Sequence, residues 1–199
     1  MFIQNLRAAT ADSHKQLELN NLSLALLSDN VTEGIYCNYL IKLYSFVKGF
    51  EEIIFPLLPH HFLNLSHRKK AHFIYEDLNI YNITNENCKI LKEILFKETY
   101  PDIFTSAGGL YVLEGSTLGG QIIVKHLQKK LAPGFTKSAY FSAYQHKTGS
   151  MWKEFLQQLT SLPKSDIEEQ QIIEGATKTF QIINSLLCNT NPKFEEYEN

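Results

Sequence analysis

Five of the chain's ten glycines stand in one segment, SAGGLYVLEGSTLGGQ from Ser106 to Gln121, whose flanks carry the spacing of a helix. Glycine weakens a helix interior by about 1 kcal/mol relative to alanine, so the cluster must answer to something outside the helix. At about 100° per residue, Gly108, Gly115 and Gly119 share one stripe and Gly109, Ser116 and Gly120 the next. One side of the helix is nearly bare backbone. Two readings fit: a partner helix packed closely against it, or a broad ligand lying on it, with the helix free to bend there. A phosphate-binding loop is excluded because neither GxxxxGKS nor GxxxxGKT occurs. Glu114, Ser116, Thr117 and Gln121 interrupt the small-residue repeat of membrane helix pairs.

The rest of the chain reads as further helices. Residues 2 to 19 set Phe2, Leu6, Ala9 and Leu17 on one face, and Leu22 to Leu27 follow as a short segment. Asp29-Asn30 provides a helix start. From Thr32 to about Leu58, Ile35, Tyr39, Leu43, Phe46, Phe50, Ile53 and Ile54 mark what should be the longest core helix, stopped by Pro56 and Pro59. A short helix is expected around Arg68 to Leu78. Another is capped by Thr84 or Asn85 and runs to Phe96. Pro101 opens the glycine-bearing helix, which reaches Lys130 and is ended by Pro133-Gly134. Ser150 to Leu162 presents Trp152, Phe155, Leu156 and Leu159. Ser165 with Glu168 forms a capping-box pattern for a last helix through Ile172, Ile173, Ala176, Phe180, Ile183 and Leu187. No alternating strand pattern competes, so the fold class is all-α, one helical domain over 1–199, with 189–199 as a polar, fraying tail.

Composition removes several functions. Net charge is −2 and the 19 basic residues form no stripe, which gives nucleic acid little to bind. Cys37, Cys88 and Cys188 make no CxxC pattern and read as reduced thiols of a cytoplasmic protein. There is no signal-peptide layout, and no run approaches the roughly 18 apolar residues of a membrane span.

Seven histidines invite a metal reading, yet none has HExxH spacing. His60-His61 follows Pro59 as a surface turn, and His67, His72, His126 and His146 sit among polar neighbours. His14 differs. Arg7, Thr10, His14 and Glu18, spaced by 3, 4 and 4, share one face of the first helix. A carboxylate one turn from a histidine is how a metal ligand's tautomer and ring direction are set. The Arg7 cation, about 10 Å along the axis, would meet an anionic group of the same ligand. The alternative is a solvated polar helix face. Taken with the glycine stripe, the set describes two walls of a slot for a flat, anionic, metal-bearing ligand, and haem has those properties.

LRAATADSH followed by Glu18, together with LYVLEGSTLGGQII, resembles the haem oxygenases, in particular the soluble bacterial branch associated with biliverdin supply. The similarity extends to Tyr140 to Phe155 and to Ala176 and Phe180. The resemblance implies haem b sandwiched between the first helix and a bent, glycine-rich distal helix. It makes His14 the proximal iron ligand, Glu18 its orienting partner and Arg7 a propionate contact, with Tyr111, Lys147 and Lys153 as further propionate candidates beside Thr10. Gly119 and Gly120 match the distal glycines and Gly115 the one before them. Ser116 stands where animal members have an aspartate organising distal water. The implied reaction opens haem to biliverdin with release of iron and carbon monoxide. It uses dioxygen and electrons from a ferredoxin or flavoprotein reductase, and no membrane anchor. A haem carrier or gas sensor on the same fold is the alternative.

Overall fold

A computed structural model describes residues 1–84, 91–131, 135 and 138–188, and among them every regular element is helical. The expected cap at Asn85, Cys88, the Pro133-Gly134 stop and the tail 189–199 lie outside the described residues.

The chain opens with α1 (Phe2–Glu18) and α2 (Asn21–Leu26). The α1 face is narrower than expected: Phe2, Leu6 and Thr10 are buried, Leu17 is half-buried and Ala9 faces solvent. Thr10 fits the buried face because its hydroxyl donates to the Leu6 carbonyl at 2.8 Å. Asn20 caps α2 by accepting from Leu22 N–H at 2.9 Å. The start of α3 (Glu33–Gly49) is set by Thr32, whose hydroxyl accepts from Ile35 N–H at 3.2 Å, and not by Asp29-Asn30.

The expected single helix to Leu58 does not persist. α3 ends at Gly49, a π-helical turn covers Phe50–Ile54, and a 3-10 turn covers Phe55–Leu57. Pro56 has no N–H to give, so the chain changes its hydrogen-bonding pattern before reaching it. The wider π turn carries Glu51 inward with Phe50 and Ile54, and its carboxylate accepts from the N–H groups of Lys70 and Ala71. α4 (Ala71–Asn79) begins there, after a 3-10 turn at Leu65–Arg68. α5 (Glu93–Thr99) starts later than the Thr84 or Asn85 cap implied; Leu91 and Lys92 are not helical.

α6 (Ile103–Lys130), not α3, is the longest described helix, at 28 residues. Its cap is Asp102: the carboxylate accepts from Phe104 and Thr105 N–H at 2.8 and 2.9 Å, and Pro101 lies outside. α7 (Thr148–Ser161) follows a 3-10 turn at Gln145–Lys147. α8 (Asp166–Cys188) is capped by Ser165, which accepts from Glu168 N–H at 3.3 Å, while the Glu168 carboxylate reaches back to Lys164 N–H.

α6 packs most extensively on α8, and α1 also lies on α8. The α6–α8 crossing is a backbone contact. A Cβ on Gly108 would stand 2.1 Å from the Ile172 carbonyl oxygen, and one on Gly175 would stand 2.1 Å from that of Thr105. Behind it, Gly109 leaves room for the rings of Phe50 and Tyr100, which meet edge-on at 5.1 Å. The helix-packing reading of the glycines therefore holds for Gly108 and Gly109.

Candidate functional site

The remaining glycines do something else. Gly115 and Gly119 line a cavity of about 780 Å³, large enough for a drug-sized or cofactor-sized ligand. A Cβ on Gly119 would meet nothing within 4 Å, and one on Gly115 would only touch Trp152 at 3.6 Å. Gly120 faces away: a Cβ there would sit 2.7 Å from the Phe141 carbonyl oxygen, so this glycine admits the loop backbone and does not line the cavity.

α1 supplies a second wall through Arg7, Thr10, Ala11, His14, Lys15 and Glu18. The apolar remainder includes Leu26 and Leu43, Val112 and Ile122 of α6, Trp152 of α7, and Phe180 and Ile183 of α8. The four residues read from sequence as one face of α1 are thus brought to one cavity. His14 is 56% exposed, which leaves its ring open to a ligand, and its Nδ1 lies 3.5 Å from Glu18 Oε1. With a proton on Nδ1 shared toward Glu18, Nε2 keeps its lone pair for a metal. Phe180 meets the His14 ring edge-on at 5.4 Å and 81°, which limits its rotation. From sequence Phe180 was read as a core position and as part of the family resemblance, without a role at the site.

Arg7 and Thr10 both interact with the Tyr111 phenol, whose pKa burial raises. Lys147 and Lys153 are exposed and outside the cavity lining; among the described lining residues the lysine and arginine side chains are Arg7 and Lys15, both on α1. The position of Lys15, next to His14, carries no spacing signal. Glu18 is the cavity's one carboxylate among the described lining residues. Ser116 also lines it, with its hydroxyl donating to the Leu113 carbonyl at 2.8 Å.

Among the described residues no group of three or more histidine, cysteine, aspartate or glutamate side chains is arranged to hold a metal ion. A metal here needs ligands beyond the protein, as a porphyrin supplies them. The other histidines do not compete: His60, His61, His67, His72 and His146 are exposed, and His126, expected to be solvated, is half-buried with Nε2 3.0 Å from the Ser28 carbonyl oxygen. Cys37 is buried, and burial pushes its thiol up to about 11. No described helix is long and apolar enough to cross a membrane.

A sequence search of curated proteins gave no significant match. Comparison with solved structures matched a haem oxygenase from Leptospira interrogans at a TM-score of 0.79 and 20% identity, covering 94% of this chain and 98% of that one. Haem oxygenase-1 of the cyanobacterium Synechocystis, determined in complex with haem, matched at 0.78 and 19%, covering 98% and 94%. The NO- and CO-bound haem oxygenase of Neisseria meningitidis matched at 0.67 and 21%, covering 96% and 92%. At these identities the three structures speak for the fold. The sequence family model described as Heme oxygenase matches residues 1–189, nearly the whole chain. The chain is therefore a member of the haem oxygenase family of enzymes.

Proposed function

We propose that this protein cleaves haem b oxidatively to biliverdin, releasing iron and carbon monoxide, with dioxygen as oxidant and electrons from a ferredoxin or flavoprotein reductase. The observation that carries the proposal is the cavity that His14 and Gly119 share. A histidine there has one ring nitrogen paired to a carboxylate, and the helix there is bare enough that a Cβ would meet nothing.

The residues present fit the group. The apolar lining suits a porphyrin face, and Arg7 and Lys15 give the cavity two cations for carboxylates. When bound, haem supplies an iron that reduces dioxygen and a ring that is itself the substrate. His14 is the proposed iron ligand, and Glu18 sets its tautomer by accepting from Nδ1–H, which leaves the Nε2 lone pair for the iron. Arg7, steadied by Tyr111, is the proposed propionate contact that sets the ring's rotation and so the carbon attacked. Lys15 is the second. Gly115 and Gly119 keep the α6 wall low enough for a small molecule to lie between ring and backbone, and Ser116 adds a hydroxyl there. Gly120 acts one step back, by admitting the Phe141 backbone. Leu43, Val112, Ile123 and Phe141 keep bulk water from the same space. Reduced cysteines accord with a cytoplasmic location, where such reductases are available.

Haem titration followed by turnover with ascorbate or a reductase, with the product identified, tests this reading. A Soret band and a bilin are expected. Haem binding with no bilin would identify a carrier or sensor, and no binding would reject the reading.

A further inference from the structure

One wall of the cavity is aromatic, and it is held from behind. Tyr39 of α3 meets the Phe141 ring at 6.0 Å, Phe141 meets Tyr140 at 5.2 Å and 64°, and all three line the cavity, with Tyr140 and Phe141 buried. Tyr140 and Phe141 belong to a connecting segment, 138–144, a kind of element that is ordinarily the least fixed part of a site. Here buried carboxylates tie both of its ends. Asp77 of α4, 2% exposed, accepts from the Ser138 hydroxyl at 2.9 Å and from the N–H groups of Ala139 and Tyr140 at 2.7 and 3.0 Å. At the far end the Tyr144 phenol donates to Glu114 at 2.7 Å.

Asp77 itself does not line the cavity. Its three donors occupy both carboxylate oxygens, which fixes the backbone of 138–140 in place and in direction. Ser138 adds two more ties, accepting from the Tyr36 phenol at 2.7 Å and from Phe141 N–H at 3.2 Å. From the opposite side the Phe141 backbone rests on Gly120, where a Cβ would come within 2.7 Å of its carbonyl oxygen. The aromatic wall is therefore a stop whose place is set by α4 and α6 together.

The charges of the cavity say what meets that stop. Arg7 and Lys15 are exposed, so the carboxylates of a flat anionic ligand stay at the open side and its apolar edge turns to the buried aromatic wall. Long exposed cations hold an angle loosely because many rotamers reach the same partner. An anchored wall of rings holds it tightly.

We infer that Asp77 is the positioning residue that sets this wall and, through Tyr140 and Phe141, the rotation of the bound ring about the axis through His14, and so which ring carbon is opened. The inference rests on the haem reading.

The test compares haem-loaded wild type, Asp77→Asn, Gly120→Ala and Tyr36→Phe by two readouts. One is the set of haem-methyl proton shifts of the ferric cyanide complex, which follow the ring's rotation without turnover. The other is the isomer composition of the biliverdin formed. Asp77→Asn keeps the side-chain volume and one acceptor oxygen, so it should fold, but it leaves part of the loop unpaired. Gly120→Ala pushes the same backbone from the other side. Each should displace the methyl pattern and raise the minor isomers about fivefold, the equivalent of one lost hydrogen bond. Tyr36→Phe removes a buried hydrogen bond of the same network without touching the loop N–H groups, and should lower stability while keeping both readouts. Should one of the first two variants not fold, the other decides. Wild-type patterns in Asp77→Asn and Gly120→Ala, or an equal displacement in Tyr36→Phe, would make Asp77 a structural anchor only; this overturns the inference and leaves the haem reading intact. No Soret band in the wild type overturns both.

Discussion

Arg68 and Glu114 form an ion pair whose side chains are 1% and 0% exposed, and Glu114 immediately precedes the first glycine of the cavity wall. Lys70 and the Tyr144 phenol donate to the second carboxylate oxygen at 2.6 and 2.7 Å, and Arg68 continues to Glu154 at 2.8 Å. One carboxylate thus joins the Leu65–Arg68 turn, α6 and the 138–144 loop, with Arg68 extending the network to α7. Glu114→Ala leaves buried Lys70 without its carboxylate and Arg68 with Glu154 alone, and should cost about 3–5 kcal/mol. Denaturant unfolding of the ligand-free protein measures it, and a loss below about 1 kcal/mol would mean that the network is dispensable.

The glycines should separate by substitution. Gly119→Ala meets open space and adds helix propensity, so the ligand-free protein should gain up to about 1 kcal/mol. Gly108→Ala drives a Cβ into the Ile172 carbonyl and should lose about 1–3 kcal/mol despite the same propensity gain. Gly119→Leu should leave folding intact and impair haem turnover; unaltered activity would show that the cavity wall does not need to be bare.

His14→Ala should change stability by no more than about 0.5 kcal/mol, because the side chain is more than half exposed. It should remove the histidine-ligand signature from the ferric-haem spectrum, along with turnover. A spectrum identical to wild type would rule His14 out as the iron ligand.

Both cavity cations lie on α1, so ring rotation should depend on them. Arg7→Glu should redistribute the biliverdin isomers, and Lys15→Glu should do so to a lesser extent, because Arg7 is braced by Tyr111. Chromatography of the bilin products reads the outcome. An unchanged isomer mixture in both variants would show that carboxylate pairing does not orient the ring.

Glu51 gives stability a pH slope. Its burial outweighs the N–H donors of Lys70 and Ala71 and raises its pKa above the usual 4.5. Between those two values the folded protein holds a proton that the unfolded chain has released, so stability falls as pH rises through that window. Glu51→Gln should flatten the slope. Unfolding midpoints measured across the acidic range check it, and an unaltered slope would assign it to other groups.

Much of the site was legible because it is helical and local. Arg7, Thr10, His14 and Glu18 are related by helix spacing alone, and that spacing survives folding whatever else packs nearby. The glycine segment was legible as a bare stripe, but its division was not. Gly108 meets α8, Gly109 meets aromatic rings, Gly120 meets a loop, and only Gly115 and Gly119 face the cavity. Gly175, the other half of the α6–α8 crossing, carries no signal by itself because a single glycine in a helix has many causes. Lys147 and Lys153 entered as propionate candidates through the resemblance alone, and both are exposed and outside the cavity lining.

By itself the sequence determined the helices, the absence of a competing strand pattern and the histidine face, since periodicity and caps are properties of a short stretch of chain. Only the tertiary structure decided that α3 breaks into a π turn that buries Glu51, that Glu114 is the hub of a buried ionic network, and that Asp77 of α4 accepts from the backbone N–H groups of Ala139 and Tyr140. Those pairings join residues 19 to 63 positions apart. Local propensity has no reach over such separations; long-range packing and the need to satisfy buried charge select them.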